Sequence, residues 1–248
     1  MTIMEQGDLG MKKTYLAVAI AAGFASHGVV HAQDYQMEAG LSYFDDGNTI
    51  SDLAVDFTYH IDTVTTADRP LAEAAFLGRN SNISAFYLAP DDNTIEDTMG
   101  LGVEWWFEDI YAAADITDND GDNDVTVRLG YMLQDGFLVY AGYNDDDVTT
   151  LSTILLGTKY VADSLNVEVE VSQSDDVNDT VAVSAMADYY INNSFSVGAS
   201  VEKAERGSST FGVQSRYFFT PVLSGEVMYQ KTESAPDDLI AARVAFRF

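Results

Sequence analysis

The sequence has no cysteine, four prolines, three histidines and twelve basic residues against forty acidic ones. The missing cysteine excludes a disulfide framework, so stability must come from hydrogen-bond closure or packing. A net charge of −28 leaves no basic surface for phosphate, which excludes nucleic acid as a partner. Four prolines and 18 glycines are too few for a collagen-like or disordered chain. Beyond the N-terminus, no run approaches the ~18 apolar residues that a spanning helix needs.

The N-terminus carries its own signal. Lys12 and Lys13 precede an apolar run from Tyr15 to Ala25, and Val30, His31 and Ala32 close it on a small residue. A basic start, an apolar centre and a V-x-A end predict a secretory signal peptide cleaved after Ala32. Residues 1–32 are then an N-terminal extension plus leader, with Met11 the expected start, and residues 33–248 the exported part. Cleavage removes two acids (Glu5, Asp8) and two bases, so the net charge is unchanged.

What the exported part has in abundance is alternation. From Leu239 to Phe248, Ile240, Ala242, Val244, Phe246 and Phe248 share one face, while Arg243 and Arg247 lie on the other. Period two means an extended strand, and two inward arginines exclude a dry core. Apolar outside and charged inside suits a transmembrane barrel, with lipid around it and water within. The pattern recurs from Tyr35–Tyr43 and Leu53–Ile61 onward. It predicts an all-β, antiparallel, up-and-down transmembrane barrel of about fourteen strands. The stretch Asp62–Asn80 fits neither loop class and leaves counts of 12 or 16 open.

The connections sort into two kinds. Short turns such as Glu108-Asp109, Gln134-Asp135-Gly136 and Asn192-Asn193-Ser194 alternate with longer acidic loops, as hairpin chemistry and barrel polarity require. Tyr35, Tyr59, Phe107, Phe137, Tyr160, Tyr189, Phe195, Phe219 and Phe248 fall on the apolar face near the short turns. Tyr43, Tyr87, Tyr143, Phe211 and Tyr229 fall near the long loops. Two bands are what interfacial aromatic girdles give.

Leader, alternating strands, sorted turns and the terminal Phe248 together resemble Gram-negative outer-membrane porin-type proteins. The segment Pro70–Asn80 (PLAEAAFLGRN) also resembles one found in poorly characterised members of that kind. The resemblance implies an outer-membrane location, contact with lipid and lipopolysaccharide, and delivery to the barrel-assembly machinery through the C-terminal strand.

Alternation places Glu38, Asp56, His60, Glu104, Asp115, Arg128, Lys159, Glu168, Glu170, Asp188, Glu202, Arg216, Glu226, Arg243 and Arg247 inside. Acids predominate, which predicts a cation-preferring diffusion channel for small hydrophilic solutes. The alternative is a non-conducting barrel serving structure, adhesion or surface recognition through its acidic loops. Asp118, Asp120, Asp122 and Asp124 alternate as Ca²⁺ ligands do, but Asn123 and Leu129 stand where an EF-hand needs Gly and Glu. A solvated acidic loop is expected there, with no metal and no cofactor. His60 is the lone histidine after the leader, so a base-dependent hydrolytic site is not expected and neither is an enzyme.

Overall fold

The computed structural model describes residues 34–47, 51–92, 95–119, 121–147, 149–176, 179–205, 207–233 and 238–248. The predicted leader and Asp120 lie outside the described residues. Fourteen strands form: β1 Tyr35–Asp45, β2 Ser51–Val64, β3 Asn82–Pro90, β4 Thr98–Phe107, β5 Ile110–Asn119, β6 Asp122–Gln134 and β7 Phe137–Asp146. The second half holds β8 Leu151–Ala162, β9 Leu165–Ser174, β10 Val181–Asn192, β11 Phe195–Ala204, β12 Ser209–Thr220, β13 Leu223–Thr232 and β14 Asp238–Arg247. Each pairs antiparallel with its sequence neighbours, and β14 pairs with β1 to close the barrel. Closure leaves no sheet edge exposed, which satisfies every strand's backbone where lipid offers no hydrogen bonds.

The two faces divide as the alternation requires. Leu101, Phe107, Leu129, Ile154, Leu156 and Val244 are outward and exposed, Leu129 at 68%. Leaving such side chains in water forgoes about 1.5–3 kcal/mol each, so this outer face suits an apolar surrounding. Among the described residues no helix is long and apolar enough to cross a membrane. At the short-turn end, Phe137 meets Tyr160 and Phe195 meets Tyr217 edge-on, both at 5.9 Å. At the long-loop end, tyrosine hydroxyls reach the polar rim: Tyr229 donates to Asp238 at 2.6 Å and Tyr143 to Ser152 at 2.7 Å.

Two expectations need correction. Tyr35 is not lipid-facing. The register shifts between Tyr35 and Met37, and that bulge turns Tyr35 inward, where it is buried against His60. The acidic stretch Asp118–Asp124 is mostly hairpin rather than loop, because Asp118 pairs with Asn123 and Asn119 with Asp122.

Asp62–Asn80 takes a form that alternation cannot describe. After β2 the chain turns into the barrel as a 3-10 turn (Leu71–Glu73) and a short helix, α1 (Ala74–Leu77). It returns through Gly78 to β3. Val64 and Ala74 are fully buried and pack with Tyr35. This segment crosses the short-turn end as a plug.

Candidate functional site

The interior encloses a cavity of about 980 Å³. Plug residues Ala72, Glu73, Ala75 and Phe76 form its floor, and its wall reaches Thr210 and Gln230 toward the long-loop end. Of the residues nominated from sequence, Glu38, Glu104, Asp115, Arg128, Lys159, Glu168, Glu170, Asp188, Arg216, Glu226, Arg243 and Arg247 line it, as do His60 and Glu202. Asp56 stands behind Arg243, bound to it.

Strand register dictates which charges meet. Arg216 faces Glu226, Lys159 faces Glu168 and Arg247 faces Glu38 across their ladders. The resulting contacts are 2.7, 2.7 and 2.6 Å. Arg128 reaches diagonally to Asp115 at 2.9 Å. Arg243 on β14 bonds Glu38 on β1 at 3.0 Å and Asp56 on β2 at 2.6 Å. One guanidinium therefore ties three strands across the closing seam, a fork geometry lysine cannot supply.

Small residues make room for this network. A Cβ on Gly40 would lie 2.3 Å from an Asp56 oxygen and 2.6 Å from Arg243 Nη2. One on Gly198 would lie 2.1 Å from Asp188 Oδ1. Each glycine leaves open the space that the carboxylate paired with it on the neighbouring strand occupies.

The remaining acids have neutral partners. Glu104 accepts from Asn82 at 2.8 Å and from the Tyr111 hydroxyl at 3.0 Å. Glu170 accepts from the Tyr140 hydroxyl at 2.9 Å, and Asp188 from Gln214 at 2.7 Å. The lumen bases Arg128, Lys159, Arg216, Arg243 and Arg247 all sit in ion pairs, so the lining's surplus charge is negative.

The plug adds contacts that strand alternation did not nominate. Glu73, 6% exposed, meets Lys159 on β8 at 3.0 Å and accepts from the Tyr190 hydroxyl on β10 at 2.8 Å. The Leu71 N–H donates to the Asn193 carbonyl, and the Leu71 carbonyl accepts from Arg247 at 2.9 Å. Phe76 packs edge-on against Trp106 on β4 at 6.1 Å, with Lys159 Nζ 4.9 Å from its ring centre. Arg79 reaches Asp109 at 2.9 Å and Asp135 at 2.8 Å, joining two short turns.

Two other nominations separate in space. The hairpin register puts Asp118 on the outward face, with Ile116, while Asp122 and Asp124 fall on the inward face. Period two thus splits the carboxylates that looked contiguous. Among the described residues no group of three or more His, Cys, Asp or Glu side chains converges as a metal site. His60 packs edge-on to Tyr35 at 5.4 Å, and among the described residues no second histidine stands beside it.

The sequence model of the family described as "putative general bacterial porin" matches residues 11–238. Among solved structures, the chain is similar to the Acinetobacter baumannii outer membrane protein Omp33. The two are 26% identical with a TM-score of 0.73, over 87% of this chain and 99% of that one. It is also similar, in fold alone, to a triple mutant of Rhodopseudomonas blastica porin. There the identity is 12% and the TM-score 0.52, over the same shares of each chain. No curated protein sequence matches.

Proposed function

The chain belongs to that family of general bacterial porins, and from this premise we propose that it passes small hydrophilic solutes and ions across the outer membrane, favouring cations. The observation that carries the preference is the pairing pattern. Every lumen base named above is neutralised by an acid, while Glu104, Glu170 and Asp188 bond only neutral donors. Glu202 adds a fourth carboxylate to the lining. Fixed carboxylates in a low-dielectric wall raise the local concentration of cations and repel anions.

Transport in this reading is passive. Diameter sets the size limit, lumen charge sets the sign, and no cofactor or energy source is required. Lipopolysaccharide and lipid would surround the barrel, with rim carboxylates sharing divalent cations with the former. A second reading, a non-conducting recognition barrel, draws on one observation: the plug crosses the short-turn end.

Proteoliposome swelling separates the two. Protein-loaded vesicles in an isotonic small neutral sugar should swell faster than empty ones and should not do so in a trisaccharide. Equal swelling with and without protein would favour the recognition barrel.

A further inference from the structure

We propose that the β2–β3 segment is a reversible gate, docked across the short-turn mouth through Glu73 and able to leave without dismantling the wall. The proposal rests on the channel reading above. It starts from an asymmetry in the contacts. The two wall cations that hold the plug, Lys159 and Arg247, and the ring of Trp106 each have a second partner within the wall itself.

Lys159 binds Glu73 at 3.0 Å but binds Glu168 more closely, at 2.7 Å. Arg247 gives Nη1 to the Leu71 carbonyl, while its Nε bonds Glu38 and its guanidinium lies between Tyr35 and Phe218, 4.4 and 4.6 Å from their ring centres. Trp106 touches Phe76 but also Tyr111 on β5, at 4.8 Å between ring centres. Asp109 and Asp135, which hold Arg79, have side chains 46% and 94% exposed, so water replaces the guanidinium. When the plug leaves, no buried wall charge is left uncompensated, the condition under which breaking a buried pair is severe.

The plug side is equally prepared. Glu73 is the single carboxylate between Pro70 and Gly78, and undocking carries it to the aqueous mouth. The segment's own secondary structure is short: three residues of 3-10 turn and four of α1. Its ends bear left-handed residues that are not glycine, Asp68 at φ 56° and Arg79 at φ 52°. Such backbone is held by surrounding contacts and relaxes when they go. These two positions are the hinges, and the span between them moves. Docked, the plug floors the cavity with Glu73 and Phe76; undocked, the short-turn mouth widens to the width of the barrel.

The sequence's lack of cysteine permits a clean test. The Leu71 N–H and Asn193 carbonyl are 2.8 Å apart, and backbones bonded this way lie within disulfide reach. The variant L71C with N193C, purified from outer membranes, is recorded in planar bilayers under oxidising and then reducing conditions. Reduced protein should switch between a low and a high conductance level. Oxidised protein should show the low level alone, and reductant should restore the high one. In a second variant, Glu73→Gln, the fraction of time at the high level should rise several-fold. Identical traces in oxidised and reduced forms, with the cross-link verified on a non-reducing gel, would overturn the gate while leaving the channel intact. So would an unchanged high-level fraction in Glu73→Gln. Absence of current in every form, including one with residues 68–79 replaced by a short glycine-asparagine turn, would overturn the channel reading and the gate with it.

Discussion

Glu73 Oε2 lies 3.0 Å from Lys159 Nζ, although one residue is carried by the β2–β3 connection and the other by β8 on the far wall. The same ammonium is held by Glu168. Lys159 is therefore shared between a wall partner and a plug partner, and removing either acid leaves it compensated.

That sharing predicts an asymmetric pair of mutants. Glu73→Gln should change barrel stability by about 1 kcal/mol or less, since one hydrogen-bonded contact is lost and none is stranded. Lys159→Met takes the cation from two carboxylates, leaving them the Tyr190 hydroxyl and the Asn166 amide alone, and should cost about 3 kcal/mol. Urea unfolding in detergent, followed by loss of the compact band on unheated gels, reads both. Equal losses would contradict the shared-ammonium account.

At the closing seam, Arg243→Lys should cost about 1–2 kcal/mol. A lysine cannot hold Glu38 and Asp56 together, and the partly wet setting tempers the loss. In a double-mutant cycle, Arg243→Lys and Asp56→Asn should be non-additive. Additive losses would mean that the guanidinium does not bridge the seam.

Gly136 and Gly121 separate conformation from contact. Both have positive φ, 77° and 87°, but a Cβ at Gly136 would meet the Val161 carbonyl at 2.2 Å while one at Gly121 meets nothing within 4 Å. Gly121→Ala should cost the conformational part, about 1 kcal/mol. Gly136→Ala should cost clearly more, because it also breaks the bond from the Val161 N–H to the Gly136 carbonyl. The two unfolding midpoints decide it.

Trp105 and Trp106 are neighbours that face different media. Trp105 is 53% exposed on the outer face, and Trp106 is buried inside with Tyr111 and Phe76. Brominated lipid should quench the emission of a Trp106→Phe variant, which retains Trp105. It should leave a Trp105→Phe variant nearly unaffected. Equal quenching would contradict the assigned faces.

These faces were legible in the sequence because period two is a local property. Trp105 and Trp106 take opposite sides by position alone, and so do Arg243 and Val244. The pairs were nearly legible as well: counting outward from the turn at Ala162-Asp163-Ser164 sets Lys159 opposite Glu168. The plug was not. Glu73 meets Tyr190 across 117 residues, and nothing near Glu73 in sequence signals that partner. Tyr35 went astray for another reason, since a bulge adds one residue and inverts the face. Asp118–Asp124 looked like a loop because acidic composition masks pairing, while the backbone continues its ladder regardless of side-chain charge.

The central claim is an acid-biased lumen, and the reversal potential under a tenfold KCl gradient tests it most directly. The account predicts a reversal displaced toward the potassium equilibrium potential, and a clear move back toward zero in the double variant Glu104→Gln, Glu170→Gln. A reversal at zero or on the chloride side in the unmodified protein would contradict it.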